Sequence, residues 1–142
     1  EVVDKNSSIV FENNISIGQN LHIISGSGQE LRIRKNTTFS ANVFLTNIDH
    51  QYNEINKHIL EQPFASAKTY IGKNCFIGYG AVIQAGTILG KQCIVGANAV
   101  VRGYFPDYCV IVGVPARIVK RYDEKSGVWK KTNNKGEFLD EI

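Results

Sequence analysis

Long apolar runs are missing from this 142-residue chain. No stretch approaches the ~18 consecutive apolar residues that a membrane span requires. No charged start precedes a short apolar run, so a signal peptide is not expected either, and the chain reads as cytoplasmic. Cysteine is scarce: Cys75, Cys93 and Cys109 are an odd number without a secretory mark. That argues for reduced, buried thiols over a disulfide frame. Charge of one sign is also in short supply. The net charge is +3 and the basic residues are spread along the chain, so no dense stripe argues for nucleic acid, although a local anion site is compatible with it. Glu1 is not methionine and the opening already reads as mid-repeat, which predicts a natural N-terminal stretch before it.

What is present is enough for one domain, since 43% of the residues are hydrophobic and can supply a core. They recur at a fixed spacing. Ile71, Ile77, Ile83, Leu89, Val95 and Val101 stand six apart in one phase. Ile, Leu and Val make up about a quarter of the chain, so a run of this kind has a chance probability of order one in several thousand. The next position carries Gly72, Gly78, Gly90 and Gly96, interrupted by Gln84 and Arg102. Four after each aliphatic residue come Cys75, Ala81, Thr87, Cys93, Ala99 and then Phe105, mostly small. The pattern describes a chain that turns every six residues. Glycine is expected to tolerate the tight backbone at each corner, the aliphatic residue to fill the interior and the small residue to fit the narrow angle. Three such segments close one triangular coil.

The same phase occurs earlier at Ile33, Phe39 and Leu45, with Thr37 and Val43 at the small positions, and more weakly at Ile17 and Ile23. Four extra residues separate Ile23 from Ile33, and Ser25 to Gln29 reads as a widened corner. Between Leu45 and Ile71 the rhythm fails, so residues 51–68 are expected to leave the coil as an excursion loop of functional length. A period of six matches neither a helix nor a heptad, and paired hairpin turns are lacking, which leaves a parallel solenoid. Tyr70, Phe76, Val82, Ile88, Ile94 and Val100 precede the interior residues and should point outward, where burial against another subunit is the natural outlet.

The run IGKNCFIGYGAVIQAGTILGKQCIVGANAVVRGYFPDYCVIVGVPARIVK, Ile71 to Lys120, resembles the hexapeptide-repeat acetyltransferases, most closely the branch that acetylates sugars and surface polysaccharides. The strong match covers about a third of the chain and the weaker repeats extend it. The resemblance implies an all-β, left-handed parallel β-helix over residues 1–121 with a C-terminal tail at 122–142. It also implies a homotrimer, with acetyl-CoA held between neighbouring subunits and no metal.

In that family the catalytic histidine lies where the coil gives way to the excursion, and TNIDHQYNE places His50 there. An imidazole, with an ordinary pKa of ~6.5, is suited to take the proton from an attacking sugar hydroxyl and return it to the departing thiolate. Asp49, as its neighbour in extended chain, should face away from the ring. A carbonyl, Glu54 or a group of the next subunit is left to orient the imidazole. The same resemblance implies pantetheine contacts at Tyr79 and Ala97, Arg102 near the far end of that arm, and Arg117 and Lys120 at the CoA phosphates. Gly103 departs from the lysine many members have there. Asn20 is implied as an acceptor contact, with His22 as its nearby alternative, whereas His58 matches no motif and reads as a solvated or packing residue.

Pro115 should stop the strand rhythm, after which Ala116 to Arg121 leads away from the last coil and Trp129 is expected to pack. Three rivals stand beside sugar O-acetylation. They are N-acetylation of a nucleotide-linked amino sugar, a zinc anhydrase needing His22, His50 and His58 together, and a non-catalytic solenoid that only binds saccharide.

Overall fold

The computed structural model describes residues 1–139, so residues 140–142 of the expected tail lie outside the described residues. The chain winds as a triangular parallel β-helix and visits three faces in turn. The first face stacks Ser8–Phe11, Glu30–Ile33, Tyr70–Ile71, Ile88–Leu89 and Tyr104–Phe105. The second stacks Ser16–Ile17, Thr38–Phe39, Phe76–Ile77, Ile94–Val95 and Cys109–Gly113, and the third His22–Ile24, Phe44–Thr46, Val82–Ile83 and Val100–Val101. Rungs within a face pair in parallel.

Strands of two residues persist because each one puts a large aliphatic side chain into the shared interior. Ile33, Ile71 and Leu89 form one column, Phe39, Ile77, Val95 and Ile111 a second, and Leu45, Ile83 and Val101 the third, all fully buried or nearly so. Thr37, Val43, Cys75, Ala81, Thr87, Cys93 and Ala99 are buried between them, where the corner leaves little room. The three thiols are free and buried. Contact with the Cys93 sulfur, and then burial, push the Cys75 and Cys109 thiols up from their ordinary value. At the N-terminal end the interior is open, and Ile17 is 52% exposed.

Register accounts for the irregular spacing. Ile71 lies opposite Leu89, 18 positions on, which is three segments of six. Phe11 lies opposite Ile33, 22 positions on, so the widened corner at Ser25 adds its four residues without displacing the columns. Ile33 lies opposite Ile71, 38 positions on, so the excursion inserts twenty. Leu89 faces Phe105 after only 16 positions, because Arg102 and Gly103 turn a shorter corner. Phe105 therefore belongs to a large-residue column and not to the small position that simple counting assigns it.

The glycines after the aliphatic residues have a different role from the expected one. Gly72, Gly78, Gly90 and Gly96 do not have the left-handed backbone, which falls instead on Asn36, Asn42, Asn74, Gln92 and Asn98 at φ 47–64° and on Gly80 and Gly86. Asparagine tolerates that conformation better than most residues with a Cβ. Glycine is required two residues earlier for space: a Cβ on Gly78 would sit 2.6 Å from the Val95 carbonyl oxygen of the next coil.

The C-terminal segment does not lead away from the coil. Ala116–Asp123 folds back antiparallel on Cys109–Gly113, and Val128–Lys131 pairs antiparallel with it in turn. The expected boundary between residues 121 and 122 thus falls inside a strand. Trp129 stacks on Tyr122, ring centroids 5.8 Å apart, while 39% exposed.

Candidate functional site

The excursion starts at the corner between the third and first faces, and it starts earlier than the loss of rhythm suggests. Ile48–His50 pairs antiparallel with Phe64–Ser66 to form an arm, with residues 51–63 as its turn. Its base is fastened by Asn47, which is fully buried. Asn47 donates to Ser25 Oγ at 2.9 Å, accepts the Gly26 N–H at 2.9 Å and accepts the Ala67 N–H on its carbonyl at 3.0 Å. All of these partners matter, since a buried amide left unpaired would be costly. The arm therefore springs from a fixed point over the widened corner. Within the turn, His58 Nδ1 accepts the Leu60 N–H at 3.1 Å and caps the short Ile59–Glu61 turn, which gives that histidine a structural task.

His50 ends the outgoing strand of the arm. Its ring is exposed and packs against Phe64 with centroids 5.1 Å apart. Among the described residues no group hydrogen-bonds the imidazole. Glu54, one of the groups considered for orienting it, is instead paired with Lys57 at 2.9 Å. Asp49 faces away from the ring, as alternation in a strand requires, and its carboxylate accepts from Arg102 Nη2 at 2.9 Å. Arg102 also donates from Nε to Gln84 at 3.2 Å. Arg102 thus links the histidine arm to two successive coils, a contact between residues 53 apart that no local pattern announces.

Tyr79 and Ala97 lie on a different edge, the corner between the second and third faces. The column there runs Gln19, Ala41, Tyr79, Ala97 and Gly113, so above Gln19 Tyr79 alone offers a large side chain. Its hydroxyl accepts from Asn42 Nδ2 at 2.6 Å, and Asn42 in turn accepts from Asn20 Nδ2 at 2.9 Å. Asn20 therefore belongs to a stack of corner asparagines, itself at φ 58°. Arg117 lies above this edge, opposite Val112 on the returning strand, and Lys120 lies opposite Val110 near the other end of the same face; both are exposed. The residues expected to form the site thus fall into two groups, one candidate half-site at each of two corners. His50 and Arg102 stand at one corner, and Tyr79, Ala97, Asn20 and Arg117 at another. Among the described residues no group of three His, Cys, Asp or Glu side chains is placed to hold a metal, and no helix is long and apolar enough to cross a membrane. His22 packs edge-on against Phe44, apart from His50 and His58.

A parallel coil of six-residue rungs is the architecture of the hexapeptide repeat. The family model for the hexapeptide repeat of succinyl-transferase matches residues 68–102. WbbJ of Escherichia coli (strain K12), named for lipopolysaccharide biosynthesis O-acetyl transfer, is 33% identical over 133 residues, which is 87% of this chain and 65% of WbbJ. The chain therefore spans about two thirds of that relative, short of its full length. A maltose O-acetyltransferase from Clostridium difficile 630 superposes with a TM-score of 0.61 at 24% identity, over 86% of this chain and 70% of that one. A galactoside acetyltransferase in complex with coenzyme A gives 0.61 at 22%, over 97% and 69%. The chain carries the hexapeptide repeat and has the fold of these acetyltransferases, a left-handed parallel β-helix.

Proposed function

We propose that this protein transfers the acetyl group of acetyl-CoA to a sugar hydroxyl, of a surface polysaccharide or its precursor, in the cytoplasm, with His50 as general base. The observation that carries this reading is the exposed His50 imidazole, fixed to the coil through its arm and hydrogen-bonded by no described residue. The acceptor oxygen attacks the thioester carbonyl while its proton passes to the imidazole. The C–S bond then breaks, and the thiolate leaves with that proton as CoA thiol. Sugar-directed names among the relatives support a hydroxyl acceptor.

The two half-sites support a homotrimer. Residues on separate corners of one coil meet only when a neighbouring copy brings its edge alongside, and the outward Phe76, Ile94, Val82 and Val100 would be covered by the same contact. The small column of Ala41, Ala97 and Gly113 beside Tyr79 suits a pantetheine arm, while Arg117 and Lys120 suit its phosphates as charge-assisted donors. Asn20, its amide N–H already given to Asn42, has its oxygen free to meet the acceptor.

The test supplies acetyl-CoA with matched hydroxyl and amino sugars and follows thiol release. Parent protein should turn over a hydroxyl sugar, and His50→Ala should lose about 10²–10⁴ in rate while CoA affinity is retained. Turnover of the amine alone would reassign the acceptor, and an active His50→Ala would remove the base.

A further inference from the structure

The third corner, between the first and second faces, takes no part in either half-site, and its side chains are unlike those of the other two. Counting two residues beyond each interior aliphatic, this corner presents Asn13, Lys35, Lys73, Lys91 and Asp107 on successive coils. At the equivalent position the second corner has Gln19, Ala41, Tyr79, Ala97 and Gly113, and the excursion corner has Ser25, Asn47, Ala85 and Gly103, with no charge among them. The three lysines are stacked directly. The Lys35 carbonyl accepts the Asn74 N–H at 3.0 Å, the Lys73 carbonyl the Gln92 N–H at 2.8 Å and the Lys91 carbonyl the Tyr108 N–H at 2.8 Å. Their α-carbons thus rise one strand spacing per coil, about 4.8 Å.

Like charges on neighbouring rungs are unfavourable unless something opposes them. Among the described residues none of the three ammonium groups forms an ion pair. The nearby carboxylates are engaged elsewhere: Glu12 by Arg34 at 2.7 Å and Arg32 at 3.2 Å, and Asp107 by the Lys91 backbone N–H at 2.8 Å. Between Arg34, Lys73 and Lys91 lies a cavity of about 180 Å³ with Tyr70 and a single carboxylate residue, Asp107, on its wall. The Tyr70 ring has Lys68 Nζ 6.0 Å from its centroid, and its hydroxyl is held by Arg34 Nη1 at 2.7 Å.

We infer that this lysine column docks an acidic polysaccharide, one whose sugar units carry carboxylates. A cavity below the range of drug-sized sites takes a single ring and not a whole ligand. The repeat of one lysine per coil suits a partner that also repeats, and an aromatic wall among cations matches a sugar ring's apolar C–H face beside its carboxylate. The inference rests on the glycan-acetylating reading and narrows its acceptor to an anionic chain.

Binding of polygalacturonate, neutral dextran and single-stranded poly(dT) to the full-length protein, measured at low and high salt, tests it. The expected result is polygalacturonate binding that weakens with salt, no dextran binding, and at least about a tenfold loss of affinity in Lys35→Glu/Lys73→Glu/Lys91→Glu. The neutral triple Lys→Gln variant should lose affinity in the same direction, which keeps the test valid if charge reversal harms folding. Acetyl transfer to a small neutral sugar should be unchanged in both variants. Polygalacturonate that fails to bind at low salt, or binds both variants as it binds the parent, overturns the proposal, and tighter binding of poly(dT) overturns the choice of a glycan. Parent protein that binds polygalacturonate but acetylates no sugar would refute the enzymatic reading separately.

Discussion

Replacing Arg102 with glutamine separates two roles that predict different kinetics. The resemblance to the acetyltransferases implies a contact with the pantetheine arm, whereas the structure shows the guanidinium on Asp49 at 2.9 Å and on Gln84 at 3.2 Å. The side chains of the Arg102–Asp49 pair are 53% and 45% exposed, so the pair belongs to the surface class worth about 0.2–1 kcal/mol. Loosening the arm by that amount lowers the correctly placed fraction of His50 by up to about fivefold, which should appear in kcat with KM for acetyl-CoA within about twofold. A lost charge-assisted contact to the cofactor would remove about 1.5–3 kcal/mol and raise KM by about 10- to 150-fold. Asp49→Asn, which leaves the guanidinium intact, should reproduce the Arg102→Gln phenotype, and the double variant should be no worse than either single one. Limited proteolysis within residues 51–63 should accelerate in all three. A KM raised tenfold or more in Arg102→Gln, with Asp49→Asn at parental values, would refute the clamp and restore the cofactor role.

Two further perturbations probe the coil. Gly78→Ala places a methyl group against the backbone of the next coil, at 2.6 Å from the Val95 oxygen and 2.8 Å from the Ala97 nitrogen, neither of which can rotate away. It should cost about 3 kcal/mol by urea unfolding at fixed protomer concentration, whereas Gly103→Ala, with open space but φ 106°, should cost about 1–2 kcal/mol. The reverse order would mean that backbone freedom and not space selects the first glycine. Asp123 is held down to about 2 by the Lys130 ammonium and the Ser126 hydroxyl, so ionisation there favours the closed C-terminal hairpin. A depressed carboxylate contributes fully above its unfolded value of ~3.9 and loses that contribution as the pH falls through about 2. Fluorescence of Trp129, the one tryptophan, should therefore show an acid step between about pH 4 and 2 that Asp123→Asn abolishes, and a step that survives the substitution rules the linkage out.

The interior columns were legible in the sequence because burial is enforced at every sixth residue and permits few side chains. The asparagines were equally available: Asn14, Asn20, Asn36, Asn42, Asn74 and Asn98 each stand three residues after a column residue, and each adopts φ near +60°. Asparagine and glycine both favour corners, and only the folded register separates a strained backbone from a crowded one. Pro115 marks the end of the parallel rungs, but nothing local indicates that the chain then doubles back on Cys109–Gly113. The antiparallel return depends on a strand edge that exists only after the coil has formed. The proposal of His50 as base rests on resemblance, and the anchoring of its arm through Asp49 and Asn47 had no local signal, because those contacts join segments brought together by the excursion.

Corner chemistry has a longer period than the core. A position facing inward recurs every six residues, but a position on a given corner recurs only every 18, lengthened to 22 or 38 where the chain widens or departs. Side chains that form one vertical edge, such as Lys35, Lys73 and Lys91, or Ala41, Tyr79 and Ala97, therefore look scattered along the chain until the register is known. Because the core imposes nothing on these positions, each edge is free to take its own character: cations on one, small residues on the second, and the buried Asn47 anchor with its histidine arm on the third. Under the proposed homotrimer the edge of small residues on one copy would face the imidazole of the next, two features that a single chain holds on separate corners.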